Sequence, residues 1–386
     1  MGSMPFRRAA SSDAGPENNQ GKSNWNPPNW NPRNPIKRKN LLLLGLTLGL
    51  FLLVACAPDA RQSTFGTSGP IAEKQLLLFN VLLWVMVAVF VLVEGILVYA
   101  IVRYRRRPGQ GLPHQTHGNT FLEITWTIIP TILILGLGVW SVLALFELDQ
   151  PPAGADTLDV TVVGHQWWWE FQYHDADGSG KRIVTANELR IPVNRAVNLE
   201  LRSHDVIHSF WVPKLAGKTD VVPTRSNRMW IQADETGLFY GQCAEFCGTA
   251  HALMKFRVEV LSDADYDRWV TNFGQPPQFA GDAQRGQEIF LGAGGCLACH
   301  TINGVPGASF GVIGPNLTGL AERSSLGAGL LEMSRENMRR WLRNPADIKP
   351  GNIMSATAPV YQTADGNISL SEGDLTALID YLTTLK

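Results

Sequence analysis

Two long apolar stretches constrain the fold of this chain more than any other feature. Leu76–Ile101 and Phe121–Phe146 each run for 26 residues, and each contains a single charged side chain. At a rise of about 1.5 Å per residue, a helix of that length crosses the hydrocarbon of a bilayer with some tilt. The sequence therefore predicts a two-helix transmembrane hairpin over residues 71–150, with helices at about 76–101 and 121–146.

The loop between these stretches indicates how the hairpin is oriented. It carries Arg103, Arg105, Arg106 and Arg107, and loops rich in Arg and Lys stay in the cytoplasm. Everything after about residue 147 is then expected outside the cytoplasm. A membrane hairpin also accounts for a charged fraction of only 17%, where soluble chains have about 25%. The net charge of −1 gives no support for a nucleic-acid partner.

The amino-terminal region is predicted to be a disordered tail followed by a targeting segment. Residues 1–40 contain eight Asn and six Pro and cannot supply a core. The uncharged run Leu41–Ala55 is short for a membrane span, which needs about 20 residues, but suits a secretory signal. Its end, Leu53-Val-Ala-Cys56, resembles the bacterial lipobox, so residues 41–56 are interpreted as a signal segment with lipidation at Cys56. The alternative is an uncleaved short membrane helix that ends in a free cysteine.

A β-rich domain is predicted over residues 157–262. Short runs of apolar residues at every second position, broken by Gly, Pro and Asn, are typical of an antiparallel β-sandwich or barrel. Examples are Leu158, Val160 and Val162, then Val197, Leu199 and Leu201, then Met254, Phe256, Val258 and Val260. Residues 263–280 are interpreted as a linker that includes a short helix.

The last domain, residues 281–386, is predicted to be helical. Candidate helices are Asp282–Phe290, Ser334–Arg343 and Ser371–Leu385, separated by loops rich in Gly and Pro. Three helices with long loops leave a thin apolar core, so we expect a large cofactor to fill it.

Five side chains in the β-domain form a pattern that suits a metal. They are His208, Cys243, Cys247, His251 and Met254. Two thiolates, two imidazoles and a thioether are soft ligands that favour copper over magnesium or calcium. Cysteines four residues apart can bridge two copper ions, which keeps the geometry nearly unchanged on redox. Zinc is disfavoured because the set exceeds four ligands, and a Cys243–Cys247 disulfide would leave the other three residues unexplained.

This pattern resembles the dinuclear copper-A motif of cytochrome c oxidase subunit 2, and the resemblance extends over about residues 71–262. Further matching segments are Glu123-Ile-Thr-Trp-Thr-Ile-Ile-Pro130, Gly164-His-Gln-Trp167-Trp-Trp169, His208-Ser-Phe-Trp-Val-Pro213, Lys218-Thr-Asp220 and Tyr240-Gly-Gln-Cys243. The resemblance implies an all-β cupredoxin-like Greek-key domain.

The resemblance also implies roles for individual residues. His208, Cys243, Cys247, His251 and Met254 would be the copper ligands. Glu245 would place its backbone carbonyl on copper and its carboxylate on a magnesium or manganese ion shared with subunit 1. Trp167 would be the tryptophan through which electrons enter, although packing of the sandwich explains the aromatic run equally well. Glu123 would stand at the mouth of a proton channel, where the alternative is a solvated carboxylate at a helix end.

A second redox centre is predicted from Cys296-Leu-Ala-Cys299-His300, the c-type haem signature. Two thiols at this spacing form thioethers to haem vinyl groups, and the adjacent histidine reaches the iron. With its flanking segments, the region resembles an all-α class I cytochrome c domain. Three methionines follow, Met333, Met338 and Met354, and Met354 is the predicted sixth ligand because it lies in a loop like the one that carries the axial methionine in that family.

Taken together, the resemblances imply subunit 2 of a proton-pumping haem–copper cytochrome c oxidase of the fused caa type. Its expected cofactors are dinuclear copper, haem c and a magnesium or manganese ion at the interface with subunit 1. Expected partners are subunit 1, the other oxidase subunits, the bacterial cell membrane and an external donor: a small cytochrome c, a cupredoxin or an iron–sulfur protein. The alternatives are the copper-A subunit of a nitric oxide reductase and a free-standing membrane electron carrier; a quinol oxidase subunit would lack the copper ligands.

Overall fold

The computed structural model describes residues 40, 43, 45–47, 49, 60–105, 109, 111, 114–277, 279, 281–305 and 313–386. The chain divides into two units, Met1–Ala57 and Pro58–Lys386. Only residues 40, 43, 45–47 and 49 of the first unit are described, so most of the tail and of the signal segment, and Cys56, lie outside the described residues. The architecture below concerns the second unit.

Two long helices form the predicted hairpin. Helix α1 spans Pro70–Arg103 and helix α2 spans Thr120–Leu148. Their mean hydropathies are 2.9 and 2.4, and almost none of their apolar side chains is buried within the chain. Lys74, near the start of α1, pairs with Glu147, near the end of α2, so the helices run antiparallel. Both are long and apolar enough to cross a membrane, which confirms the two-helix hairpin.

A sandwich of two five-stranded sheets follows the hairpin. The strands are β1 Thr157–His165, β2 Trp168–Tyr173, β3 Ile183–Ala186, β4 Glu188–Pro192, β5 Ala196–Ser203, β6 His208–Trp211, β7 Thr219–Val221, β8 Asn227–Ile231, β9 Gly237–Cys243 and β10 Lys255–Leu261. The sheet orders are β3-β2-β1-β5-β8 and β4-β10-β9-β6-β7.

The cupredoxin-like sandwich is confirmed, but the expectation that it would be antiparallel was wrong for two strand pairs. Strand β1 pairs with β5 in parallel, and β10 pairs with β4 in parallel. Alternation of apolar residues reports only which face of a strand is buried, and it is the same in both orientations. Which strands become neighbours is decided by long connections that the alternation does not record.

Aromatic rings fill the core between the sheets. Phe210 stacks on Phe256 with centroids 4.6 Å apart, and Trp169 meets both rings edge-on at 5.6 and 5.5 Å. Such pairs add about 0.5–1.5 kcal/mol each beyond area burial. Trp169 also packs against His208 at 5.9 Å, so this rigid cluster lies directly beside the predicted metal ligands.

The remaining chain is mainly helical, as the predicted cytochrome c fold requires. Its helices are α3 Asp263–Asn272, α4 Ala283–Leu291, α5 Arg335–Arg343, α6 Pro345–Ile348, α7 Ile353–Thr357 and α8 Glu372–Leu382. The hydroxyls of Ser334 and Ser371 accept hydrogen bonds from the first turns of α5 and α8 and cap these helices. One two-stranded ladder, β11 Ser325–Leu326 with β12 Leu331–Glu332, interrupts the helices. We call residues 281–386 the haem domain and residues 157–262 the sandwich domain.

Buried polar contacts join these two domains. Glu188, which is 3% exposed, accepts hydrogen bonds from the amide and hydroxyl of Ser324 and from the hydroxyl of Ser325 at 2.7–3.0 Å. Arg257 donates to Glu332 at 2.7 and 3.0 Å. The amide of Lys255 donates to the carbonyl of Ala328 at 3.2 Å. Among the described residues, the buried carboxylate of Glu188 has its hydrogen-bond partners only in the other domain. Undocking would remove these partners, so the contact favours one docked arrangement.

Replacement of Glu188 by alanine should loosen this interface without unfolding either domain. Hydrogen bonds to a charged group contribute about 1.5–3 kcal/mol each, so hydrogen exchange at the Lys255 amide should become at least tenfold faster. Hydrogen exchange measured by mass spectrometry on the intact protein tests this, with the exposed Glu288→Ala as control. Equal protection in both variants would contradict the prediction.

Candidate functional site

The predicted metal ligands converge at one end of the sandwich domain. His208 begins β6 and Cys243 ends β9, and these strands pair with Phe210 opposite Cys243. The chain then turns back, so that Cys247, the short helical turn at His251 and Met254 follow within one loop before β10. The amide of Cys243 donates to the carbonyl of Met254 at 2.9 Å. Four of the ligands are close in sequence, and the pairing of β6 with β9 brings His208 to them.

The donor atoms lie at distances that suit soft metal ions. The sulfurs of Cys243 and Cys247 are 3.7 Å apart, too far for a disulfide, whose sulfurs lie about 2.05 Å apart. Cys243 Sγ lies 3.9 Å from His208 Nδ1, and Cys247 Sγ lies 3.5 Å from His251 Nδ1. Met254 Sδ is 3.8 Å from Cys247 Sγ, and the carbonyl oxygen of Glu245 is 3.2 Å from Cys243 Sγ.

This arrangement has a near two-fold character. Each thiol has one imidazole Nδ1 beside it, and each half has one further donor, the Met254 thioether or the Glu245 carbonyl. All the side chains except that of His251 are buried. The donor set fits two copper ions bridged by two thiolates, because soft thiolate, thioether and imidazole ligands are those that copper prefers.

The two thiols of this set have opposite pKa shifts. The hydrogen bond from Cys247, with those from His208 and the backbone, lowers the pKa of Cys243. The same contact, together with burial, raises the pKa of Cys247. Metal ligation requires both sulfurs as thiolates, so metal binding must displace any proton that the pair holds.

Residues outside the ligand set hold it in place. The carboxylate of Asp205 lies 2.8 Å from His208 Nε2 and also accepts the amide of Gln166 at 2.7 Å. A carboxylate on the far ring nitrogen fixes the histidine tautomer and leaves Nδ1 free for a metal. The Asp205 contact was not predicted from the sequence, although a carboxylate three residues before a ligand histidine is a usable signal.

Trp167 touches the ligand loop directly. Its indole Nε1 donates to the carbonyl of Cys247 at 2.9 Å, and the side-chain amide of Gln166 donates to the same oxygen at 2.7 Å. The run Trp167–Trp169 divides between two roles, since Trp169 is fully buried in the sandwich core whereas Trp167 is only partly buried.

A cavity in the haem domain brings together the second predicted constellation. Its lining includes Cys296, Cys299, His300 and Met354. His300 Nδ1 lies 2.8 Å from the carbonyl of Pro315, which fixes the ring so that Nε2 can face an iron atom. Burial lowers the pKa of His300, so the imidazole is neutral and able to act as a ligand.

Two neighbours of His300 also fit a haem. A Cβ on Gly314 would lie 2.7 Å from the His300 ring, so only glycine allows the Gly-Pro-Asn-Leu segment to approach so closely. Arg323 lines the cavity and is 8% exposed. Its Nε has no hydrogen-bond partner among the described residues, and such a buried guanidinium suits the carboxylate of a haem propionate. Sequence reasoning missed Arg323, because an isolated arginine carries no local signature.

The three downstream methionines occupy different positions. Met354 lines the cavity from the short helix α7, not from a loop as predicted, because Asn352 caps a five-residue helix there. Met338 is buried in the domain core and also reaches the cavity wall, and Met333 packs at the edge of that core.

The cavity is not closed by the haem domain alone. Gln166, Trp167, Trp168 and Asn187 of the sandwich domain also line it. Trp167 therefore contacts the candidate metal-ligand loop through its indole nitrogen and lines the same cavity as Cys296, Cys299 and Met354. The two predicted redox centres are neighbours across this one residue.

Of the other predicted site residues, Glu123 lies apart from the two centres and Glu245 lies beside the metal ligands. Glu123 is in the first turn of α2, exposed, three residues after the helix begins with the Asn119 cap. Glu245 is half-buried beside the metal ligands, and its carboxylate accepts only the adjacent amide of Phe246, at 3.2 Å, among the described contacts. Phe246 is 75% exposed.

Comparison with known proteins assigns all three regions. Residues 158–261 match the family described as cytochrome c oxidase subunit II, periplasmic domain, and residues 60–144 match its transmembrane domain. Residues 283–386 match the cytochrome c family. A copper-A domain and a cytochrome c domain imply copper and haem c, and the donor set and the cavity described above fit them.

Full-length relatives carry the same name. The chain is 38% identical to cytochrome c oxidase subunit 2 of Alkalihalophilus pseudofirmus over 89% of its length and 96% of that protein. It is 37% identical to cytochrome c oxidase subunit 2 of Bacillus subtilis over 91% of its length and 99% of that protein. Among solved structures, the periplasmic domain of cytochrome oxidase subunit II of Bradyrhizobium japonicum is 34% identical, with a TM-score of 0.28, covering 31% of this chain and 93% of that one.

Asp205→Asn should weaken copper retention while it preserves the fold. Loss of the carboxylate from the far nitrogen of a ligand histidine typically costs about 10- to 100-fold in metal affinity. Copper retained against a competing chelator measures the effect. Asp159→Asn, an exposed change on β1 of the same domain, is the control, and equal retention in both variants would contradict the role of Asp205.

Met354→Ala should abolish the weak absorption in the red that a methionine–iron bond gives to a haem c, while the thioether attachment remains. The optical spectrum of the oxidised protein tests this. Met333→Ala is the control, and it should keep the band. Persistence of the band in Met354→Ala with its loss in Met338→Ala would identify Met338 as the ligand and show the prediction to be wrong.

Proposed function

The chain belongs to the cytochrome c oxidase subunit 2 family, and we propose that it passes electrons from its own haem c to a dinuclear copper centre and on to the haem of subunit 1, where oxygen is reduced to water. The observation that carries this route is the position of Trp167, which lines the haem cavity and donates to the carbonyl of the copper-loop residue Cys247. When bound, the haem and the copper pair supply one-electron chemistry, in which oxidation of the haem iron by one electron reduces the copper pair by one.

In this proposal His208, Cys243, Cys247, His251 and Met254 hold the copper pair together with the Glu245 carbonyl. Support comes from the sulfur–sulfur distance of 3.7 Å and from the two imidazole Nδ1 atoms, each beside one thiol. Rigid strands β6 and β9 and the aromatic core hold the donors in nearly fixed positions. A protein that resists movement of the ligands lowers the cost of reorganisation when the metal changes charge, which favours fast electron transfer.

Cys296 and Cys299 would attach the haem, and His300 and Met354 would be its axial ligands. The neutral, oriented imidazole of His300 supports this assignment. Trp167 would then receive electrons from the haem of its own chain. Support for this comes from the cavity of the haem domain, which Trp167 lines.

Two further roles are proposed at the faces that the chain leaves open. Glu123, exposed in the first turn of α2, would stand at the mouth of a proton channel into subunit 1 and would link the subunit to proton pumping. The carboxylate of Glu245 would bind magnesium or manganese with residues of subunit 1. The positions of the two residues support these roles: Glu123 is an ionisable group at the start of a membrane helix, and Glu245 is a half-buried carboxylate beside the proposed copper ligands.

The proposed location is the bacterial cell membrane. Helices α1 and α2 would span it, with the copper and haem domains on the periplasmic or extracellular side and the Arg-rich loop in the cytoplasm. Partners would be subunit 1, other oxidase subunits and an external donor such as a small cytochrome c, a cupredoxin or an iron–sulfur protein. Lipidation of Cys56 remains a prediction about a residue outside those described.

The intact complex should contain copper, haem c and an a-type haem together and should consume oxygen. To test the proposal, the complex that contains this chain is purified and analysed for metal and haem. Its oxygen uptake is then measured with a reduced donor. Replacement of both Cys243 and Cys247 by serine is expected to abolish copper binding and oxygen uptake while haem c stays attached. Nitric oxide turnover without oxygen uptake would instead identify a nitric oxide reductase subunit.

A further inference from the structure

One buried cation joins the haem domain to the sandwich domain at Trp167. Lys349 is 3% exposed, and its Nζ donates to the carbonyl of Trp167 at 2.5 Å and to the carbonyl of Gly327 at 3.4 Å. The first carbonyl belongs to the sandwich domain and the second to the haem domain. Lys349 forms no ion pair among the described residues.

Burial of an ammonium group without a carboxylate partner is costly. Burial lowers the pKa of Lys349 to about 7. The fold of the haem domain alone does not explain this cost, since the shorter of the two hydrogen bonds goes to the other domain. An apolar side chain would fill the same space with a smaller desolvation cost. The position of Lys349 therefore points to a role at the interface.

The segment around Lys349 touches both redox centres. Lys349 lines the haem cavity and precedes Met354 by five residues. Gly351 has φ +81°, and a Cβ there would lie 3.2 Å from Thr249 and 3.5 Å from the Trp167 ring. Residues 349–351 therefore contact Trp167 at its backbone carbonyl and at its indole ring, and the indole nitrogen donates to Cys247.

We propose that Lys349 is a positioning residue, which holds the backbone of Trp167 against the haem cavity and thereby sets the rate of electron transfer between haem c and the copper pair. This inference rests on the proposed function. The other interdomain contacts, from Glu188, Arg190 and Arg257, involve the segments around β11 and β12. Lys349 lines the cavity and is the described interdomain donor that bonds to the backbone of Trp167.

The test uses the intact oxidase with Lys349→Met, which keeps the length of the side chain and removes the donor. Photoreduction of haem c, followed by time-resolved absorbance of haem and copper, gives the internal transfer rate. We expect this rate to fall several-fold, because release of the Trp167 backbone would loosen the contact between the two centres. The haem c and copper spectra should stay unchanged. Lys386→Met, an exposed change in the same domain, should transfer at the rate of the unchanged protein.

Hydrogen exchange gives a second readout that needs no electron transfer. The amide of Lys255, which donates to Ala328 across the interface, should exchange faster in Lys349→Met and at an unchanged rate in Lys386→Met. An unchanged transfer rate in Lys349→Met would overturn the proposal. So would loss of the red methionine–iron band, which would place the effect inside the haem pocket. Absence of transfer in the unchanged protein would instead refute the proposed function, and the exchange rates would still decide whether Lys349 docks the domains.

Discussion

The carbonyl of Cys247 is the point on which the arrangement of the two centres depends. The thiol of the same residue belongs to the candidate metal-ligand set. The carbonyl accepts hydrogen bonds from Gln166 and Trp167, which directly follow β1. That contact fixes the indole of Trp167 relative to the ligand loop. The haem domain then packs on the other side of the same tryptophan. Trp167 is held by the candidate metal-ligand loop and also lines the haem cavity, so its position relates the two centres to each other.

Around this contact, the interface contains polar groups that are buried from water and form hydrogen bonds with the other domain. Glu188 and Arg257 are each 3% exposed, and each has partners in the haem domain. Buried charges of this kind are weak contributors to net stability but are strongly unfavourable when left unpaired. They therefore select one arrangement of the two domains more than they add to the stability of either.

The sequence predicted which candidate ligands lie together and did not predict several residues around them. Cys243 and Cys247, and Cys296 to His300, are recognisable from their spacing alone, so these motifs could be interpreted without a structure. Asp205 and Arg323 were missed although their partners lie only three to seven residues away in sequence. Lys349 instead acts through the carbonyl of Trp167, which is 182 residues away. The parallel pairing of β1 with β5 escaped prediction for the same reason. Met354 lay close enough to its expected place, although a capped turn replaced the expected loop.

Covalent fusion and docking make separate contributions to transfer between the centres. The connection from α3 to α4, residues 273–282, is short, and a short covalent tether holds its ends at an effective concentration in the millimolar range. For a contact with a dissociation constant near 1 mM, which corresponds to about −4.1 kcal/mol, such a linker alone leaves a large undocked fraction. The hydrogen bonds at Glu188, Arg257 and Lys349 then favour the docked arrangement, because undocking leaves buried polar groups without partners. In the proposed route, transfer would start from a preformed pair of centres, and the geometry at Trp167, rather than the encounter of two tethered domains, would govern its rate.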